Sequence, residues 1–243
     1  MRKALIDWRD GYASTPRTAD YHMTVLKRVL SWAVYEDLVD VNPAEGIKSI
    51  HRSTRAALIV PDRDLDRLLP LLTEHARRLV RFAAETGLRR EDIVNLKWEH
   101  VHEDYVAFAT GKSRGRKTVL VPLVAGARTA IQEARAEREA IIASGYVPPP
   151  NVFLTPARKR WKPDSVTNAF RRAALNVGLN RSFNDLRGTA ITRFVIAGIT
   201  DEQIADIVGW EVSRVRDIRK HYVDPATIAM GIAAKLEEAR KTG

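Results

Sequence analysis

Apolar residues recur every three or four positions along residues 17–38, at Tyr21, Val25, Leu26, Val29, Trp32 and Ala33, and predict one long amphipathic helix. The period is lost at "VDVNPAEG", and the stretch "IKSIHRSTRAALIVP" that follows is basic and irregular, as a linker is. A boundary near residue 55 therefore divides a short helical N-terminal piece, 1–54, from a main domain, 55–243. In the main domain "DRDLDRLLPLL" and "EHARRLVRFAAETG" carry the next helical patterns, the second closed by Gly87 just past its last turn. "DYVAFAT" and "TVLVPL" alternate as strands on either side of "GKSRGRK", which predicts a hairpin with a basic turn. Helical spacing then dominates, over 126–144, 164–177, 185–197, 201–208, 212–222 and 225–240. The expected fold is mainly α with a small antiparallel β-sheet, an α+β arrangement without internal repeats.

Two arginines stand where such helices disfavour them. In "RSFNDLRGTAITRF", Asn184 and Asp185 read as a cap and first turn, and Arg187 shares the apolar stripe of Ile191, Phe194 and Val195. A cation there faces the positive end of the helix dipole and loses water without an evident partner. In "TGLRREDIVNLKW", Arg89 repeats the placement, directly after a glycine cap and on the stripe of Ile93 and Leu96. A single arginine of this kind is ordinarily paired inside the fold, Arg89 with Asp92 or another carboxylate. Two, each at the mouth of a helix, point to a forked clamp on a phosphate.

Three further residues extend that chemistry. Lys112, in the hairpin turn, is a flexible point charge or proton donor, although a basic turn alone is more often solvated. Tyr222 ends a helix on the stripe of Val215 and Ile218, where it either packs with its hydroxyl at the rim or, beside a phosphate clamp, serves as a nucleophile. Trp210, after a glycine, offers an indole N–H to the same phosphate.

Charge supplies a candidate anion. Forty Lys and Arg against thirty Asp and Glu give a net charge of +10, so an extended polyanion is the natural partner, nucleic acid first and a membrane surface second. Arg158, Lys159, Arg160 and Lys162 in "ARKRWK", Arg171 and Arg172 in "AFRRAAL", and Arg114 in the hairpin turn are candidate DNA-backbone contacts; the plain alternative is a solvated basic surface. The chain has no cysteine, no HxxxH pair and no GxxxxGK[ST] loop, so neither a metal nor a nucleotide cofactor is expected. It also has no long apolar run and no signal-peptide core, which leads to the expectation of a soluble, cytoplasmic, nucleoid-associated protein with no membrane partner.

The order of the parts, "TGLR", the lysine of "GKSRGRKTVLVPL", "NDLRGTA", "GW" and a late tyrosine, resembles the catalytic domain of the tyrosine recombinase (phage integrase) family from about residue 58 onward. Upstream, "TPRTADYHMTVLKRVLSWAVYEDLVDVNPAEGI" resembles the second half of that family's helical, SAM-like core-binding domain. The resemblance implies Arg89 and Arg187 as the clamp arginines, Lys112 as the acid that protonates the leaving 5′ oxygen, Asp92 as a supporting carboxylate, Trp210 at the His-or-Trp position, and Tyr222 as the nucleophile. It further implies double-stranded DNA as substrate, a 3′-phosphotyrosyl intermediate, a homotetramer on DNA and no need for ATP.

Three positions depart from the family pattern. Asn184 stands where His is usual; it can cap a helix but cannot accept and return a proton, and loss of such a group costs about 10²–10⁴ in rate. The interval from Trp210 to Tyr222 is long, and the shorter, more usual one lands on Arg219. Relative to the family, the chain starts partway through the core-binding domain, with no arm-binding domain. Other expectations therefore stay open: a DNA-binding protein on the same fold without catalysis, a topoisomerase IB-like enzyme that relaxes supercoils by the same cleavage, or a basic helical scaffold for protein partners.

Overall fold

The structure, a computed structural model, describes residues 1–51, 58–109, 118–223 and 225–242. The chain divides into two compact units, Met1–Arg55 and Ala56–Gly243.

The first unit holds α1 (Arg2–Asp10) and α2 (Pro16–Tyr35), the latter started by a proline in its first turn, where a missing N–H costs nothing. The stripe expected to bury α2 faces outward: Tyr21, Val25, Val29 and Trp32 are exposed, and Ala19 and Met23 are buried instead. Met23 packs with Ala44 and Ile47, flanked by Leu5, Ile6, Leu26 and Leu30. The "NPAEG" turn is shaped by Asn42, whose amide donates to the Lys27 carbonyl at 3.0 Å and whose Oδ1 accepts from the Ala44 N–H at 2.9 Å. α1 was not marked by the apolar pattern, and none of its side chains is buried.

The second unit runs α3 (Asp62–Leu68), α4 (Glu74–Thr86), α5 (Arg90–Asn95), β1 (Tyr105–Ala109), β2 (Thr118–Pro122), α6 (Ala125–Ala143), α7 (Pro163–Asn176), α8 (Leu186–Ile196), α9 (Asp201–Val208), α10 (Val212–Tyr222) and α11 (Pro225–Thr242). The strands pair antiparallel, Tyr105 opposite Pro122 and Ala109 opposite Thr118, with Val106, Phe108, Val119 and Val121 turned into the core. The hairpin turn between them lies outside the described residues.

Two apolar clusters fill this unit. The larger spans α3 to α7 with both strands and includes Phe82, Phe153, Phe170 and Leu186; the smaller joins α8, α9 and α10 through Ile191, Phe194, Ile204, Val208, Val215 and Ile218. α4 is the central helix, packed on both α6 and α8. On its α6 side the buried Arg78 is held by Glu74 at 3.0 Å, Glu133 at 3.4 Å and Glu137, so its charge is compensated. α4 ends, as its sequence predicts, at Gly87 in the left-handed region (φ 64°). Two residues later the chain enters α5 at Arg89, and α8 places Arg187 between Leu186 of the larger cluster and Ala190 of the smaller. α11 lies against α8, with Ile232 over Gly198.

Candidate phosphate-binding site

The partner of the two misplaced arginines is the end of a helix. α9 stops at Gly209 (φ 63°), and the carbonyls at a helix C-terminus lack intrahelical donors and carry the negative end of the dipole. Arg187 Nη2 donates to the Val208 carbonyl at 2.9 Å, and Arg89 Nη2 donates to the Gly209 carbonyl at 2.7 Å. The unfavourable start of two helices is thereby offset by the favourable end of a third. Arg89 also stands 3.7 Å from the carboxylate of the buried Asp92, so the intramolecular pairing expected for Arg89 coexists with the convergence of the two arginines.

These contacts leave donors over. Arg187 is 5% exposed, yet its Nη1 is buried without a hydrogen-bond partner among the described residues. Burial, reinforced by the positive charge of Arg89 and opposed by Asp92, pushes its pKa down to about 9, with Arg214 depressing it further. Among the described residues a buried guanidinium nitrogen beside two further arginines is thus left for an anion.

Trp210 joins the cluster through its ring. The Arg187 guanidinium carbon lies 4.9 Å from the ring centroid and that of Arg214 lies 3.9 Å from it. Arg214 escaped the sequence reading. Its signal was position: it lies four residues after Trp210, in the first turn of α10.

Asn184 is placed differently from its expected role. It is exposed, inside the short 3₁₀ turn Phe183–Asp185, and does not cap α8; the turn is closed by Ser182, whose N–H donates to Asp185 Oδ2 at 2.7 Å. Tyr222 is half-buried at the far end of α10, whose backbone rises roughly 15 Å over its length. Its pKa is raised by burial, with Arg181 opposing and Asp185 reinforcing. Among the described residues the cation that eases its phenolate is Arg181. Arg219, at the alternative tyrosine position, is tied to Asp201 at 2.7 Å and to the Ile199 carbonyl.

The structure thus brings Arg89, Asp92, Arg187 and Trp210 together; Asn184 precedes Arg187 by three residues in the turn that leads into α8, and Tyr222 ends α10, near enough to Arg181 and Asp185 to feel their charges. Lys112 and Arg114 lie outside the described residues. Arg158, Lys159, Arg160, Lys162, Arg171 and Arg172 are all exposed. Trp161, the aromatic neighbour of the first four, is core: it is 7% exposed and its indole donates to the Leu154 carbonyl at 2.9 Å. Arg171 and Arg172 line a surface cleft of about 680 Å³ together with Asn168 and Ser165. Among the described residues no group of His, Asp and Glu has the arrangement of a metal site, and no helix is long and apolar enough to cross a membrane.

The sequence profile of the Phage integrase family matches residues 61–227, and the chain belongs to that family, the tyrosine recombinases. The integrase of Salmonella phage P22 is 25% identical over 196 residues, which cover 78% of this chain and 50% of that protein. The chain thus spans about half the length of this relative. Among solved structures, a lambda integrase dimer bound to a COC′ core site superposes with a TM-score of 0.75 at 17% identity, covering 92% of this chain and 66% of that one. The Tn1549 transposon integrase in complex with a circular intermediate DNA gives 0.70 at 14% identity, covering 98% and 85%. XerA recombinase gives 0.58 at 16% identity, covering 95% and 81%. These likenesses show a shared fold.

Proposed function

We propose that this protein is a site-specific DNA recombinase that cuts and rejoins duplex DNA through a 3′-phosphotyrosyl intermediate. One observation carries the reading: two arginines from separate helices converge on the end of α9, and the buried Arg187 keeps a guanidinium nitrogen unspent. Arg89 and Arg187 grip the phosphodiester, neutralising charge that grows on its oxygens in the transition state. The Tyr222 oxygen attacks phosphorus as the bond to the 5′ oxygen breaks, and Lys112 gives that oxygen its proton. Tyr222 gives its proton to solvent water, the leaving 5′ oxygen gains one from Lys112, and the number of phosphodiester bonds is unchanged. Reversal reseals the strand without ATP. Asn184 gives and takes no proton, so the chemistry runs below the rate an imidazole would allow.

The relatives frame the assembly. Lambda integrase has been solved as a dimer on a core site and as a tetramer on a Holliday junction, and the same homotetramer on double-stranded DNA is the expected working form here. Within it, residues 1–54 act as part of a core-binding segment and 55–243 as the catalytic domain. The exposed cations of 158–162 and of α7 hold the DNA backbone.

A second reading has its own support. Asn184 is exposed, and the phenol of Tyr222 is made less acidic by burial, as expected if the fold binds DNA without cutting it. Covalent trapping on nicked duplexes from the ends of the element that encodes the gene separates the two. A denaturant-resistant protein–DNA band that strengthens in Asn184→His and vanishes in Tyr222→Phe establishes the recombinase. DNA binding with no band from any version leaves a catalytically silent DNA-binding protein.

A further inference from the structure

α10 carries three arginines in its first eight residues and treats them unequally. Arg216 is paired with Asp201 and Glu202 of α9, and Arg219 with Asp201. Arg214 has neither carboxylate nor side-chain hydrogen bond among the described residues; its partner is the Trp210 ring at 3.9 Å. Stacking fixes the plane of a guanidinium while leaving its five N–H donors at the edge, free for a flat acceptor. It also places one more positive charge beside Arg89 and Arg187, which pays no electrostatic dividend within the protein alone: Arg89 and Arg214 each depress the pKa of the buried Arg187, and Arg214 is itself depressed by burial and by Arg89. Two guanidiniums over the Trp210 ring and a third bonded to the Gly209 carbonyl beside it are relieved together by an anion.

We infer that Arg214 is a third guanidinium of the phosphate site, held edge-outward by Trp210 and bonded to the DNA phosphate that Arg89 and Arg187 grip. This rests on the recombinase reading for the identity of the ligand, and it gives Trp210 a defined task, the orientation of Arg214. In a site whose proton-handling position is occupied by Asn184, the extra cation offsets phosphate charge that an imidazolium would otherwise meet.

Equilibrium binding of the whole chain to a duplex from the end of the element, measured across a potassium chloride series, tests it for Arg214→Ala, Arg214→Lys and Arg89→Ala. Each phosphate contact contributes about 0.9 to the slope of log affinity against log salt. The expected result is a slope reduced by about 0.9 in Arg214→Ala, retained in Arg214→Lys, and reduced likewise in Arg89→Ala. Adduct formation by Arg214→Ala is expected to slow about tenfold or more. A slope unchanged in Arg214→Ala while Arg89→Ala loses its share overturns the inference and leaves Arg214 as a prop for Trp210. A reduced slope in both alanine variants with no adduct from the parent chain upholds the Arg214 contact and sinks the recombinase reading. Unchanged slopes in both sink the two together. Because Arg214 is exposed, melting temperatures of its variants near that of the parent show that the fold is intact.

Discussion

Arg187 spends Nη2 on the Val208 carbonyl, at 2.9 Å, and keeps Nη1 buried with no hydrogen-bond partner among the described residues. An arginine in that state is strained electrostatically. Its pKa falls from the ordinary, strongly basic arginine range to about 9 in the fold, chiefly through burial, so the unfolded chain binds a proton more tightly than the folded one. This group therefore penalises the folded state in full below about pH 9, and the penalty lifts as pH rises from there toward the ordinary arginine pKa. An anion bound at the site reverses the effect by favouring the charged form. Sulfate is accordingly expected to raise the melting temperature of the protein, with a full increment below about pH 9 that shrinks above it. Arg187→Met should lose most of the increment at every pH. Scanning calorimetry with and without sulfate, at constant ionic strength, checks both; an increment indifferent to pH and to the substitution places sulfate elsewhere.

Two glycines separate the stability of the fold from the shape of the site. Gly87 is left-handed, and a Cβ there would lie 3.1 Å from both Ala190 Cβ and Val208 Cγ1, where α4, α8 and α9 meet. Gly209 is also left-handed, but its added Cβ would meet chiefly the Arg89 guanidinium, 3.4 Å away. Gly87→Ala is thus expected to cost about 2–3 kcal/mol of stability, strain plus overpacking. Gly209→Ala costs about 1 kcal/mol of strain yet displaces the flexible end of Arg89, so it weakens DNA binding more than folding. Denaturant unfolding and duplex affinity, measured on both variants, should rank them in opposite orders.

How much of this was readable beforehand follows from which forces are local. Periodic apolar stripes and a glycine stop are local, and α4, both strands and the helices from α6 to α11 appear where the pattern puts them. α1 buries no side chain and so left no stripe to find. The stripe on α2 was seen, but its direction was not, because burial depends on what covers a face and not on the face itself. The entry to α8 was legible and misassigned: "SFND" carries the serine and acid of a reciprocal cap, and Asn184 between them is exposed. That two arginines were placed against local preference was visible in the sequence. Their partner, the end of α9 reached across 120 residues from Arg89, belongs to tertiary structure alone. Arg214 lay between, since its spacing from Trp210 was local while its lack of a carboxylate was not.

Position 189 offers the sharpest test of how α8 is anchored. The Thr189 hydroxyl accepts from the Val60 N–H at 2.9 Å and donates to the Val60 carbonyl at 2.9 Å, all of it buried, so one side chain satisfies both polar groups of a distant residue. Thr189→Val keeps the volume and removes both bonds, leaving the Val60 N–H and carbonyl without partners in an apolar setting. The expected cost is about 2–4 kcal/mol, seen as a melting temperature lower by about 5–10 °C. Thr189→Ser restores the hydroxyl and should stay within about 1 kcal/mol of the parent, since it loses only a methyl group. Arg187 sits two residues earlier on the same helix but donates its hydrogen bond to the end of α9, so duplex binding well below the melting temperature should survive Thr189→Val. If binding and stability fall in parallel at low temperature, α8 is positioned through Val60 and not through the end of α9.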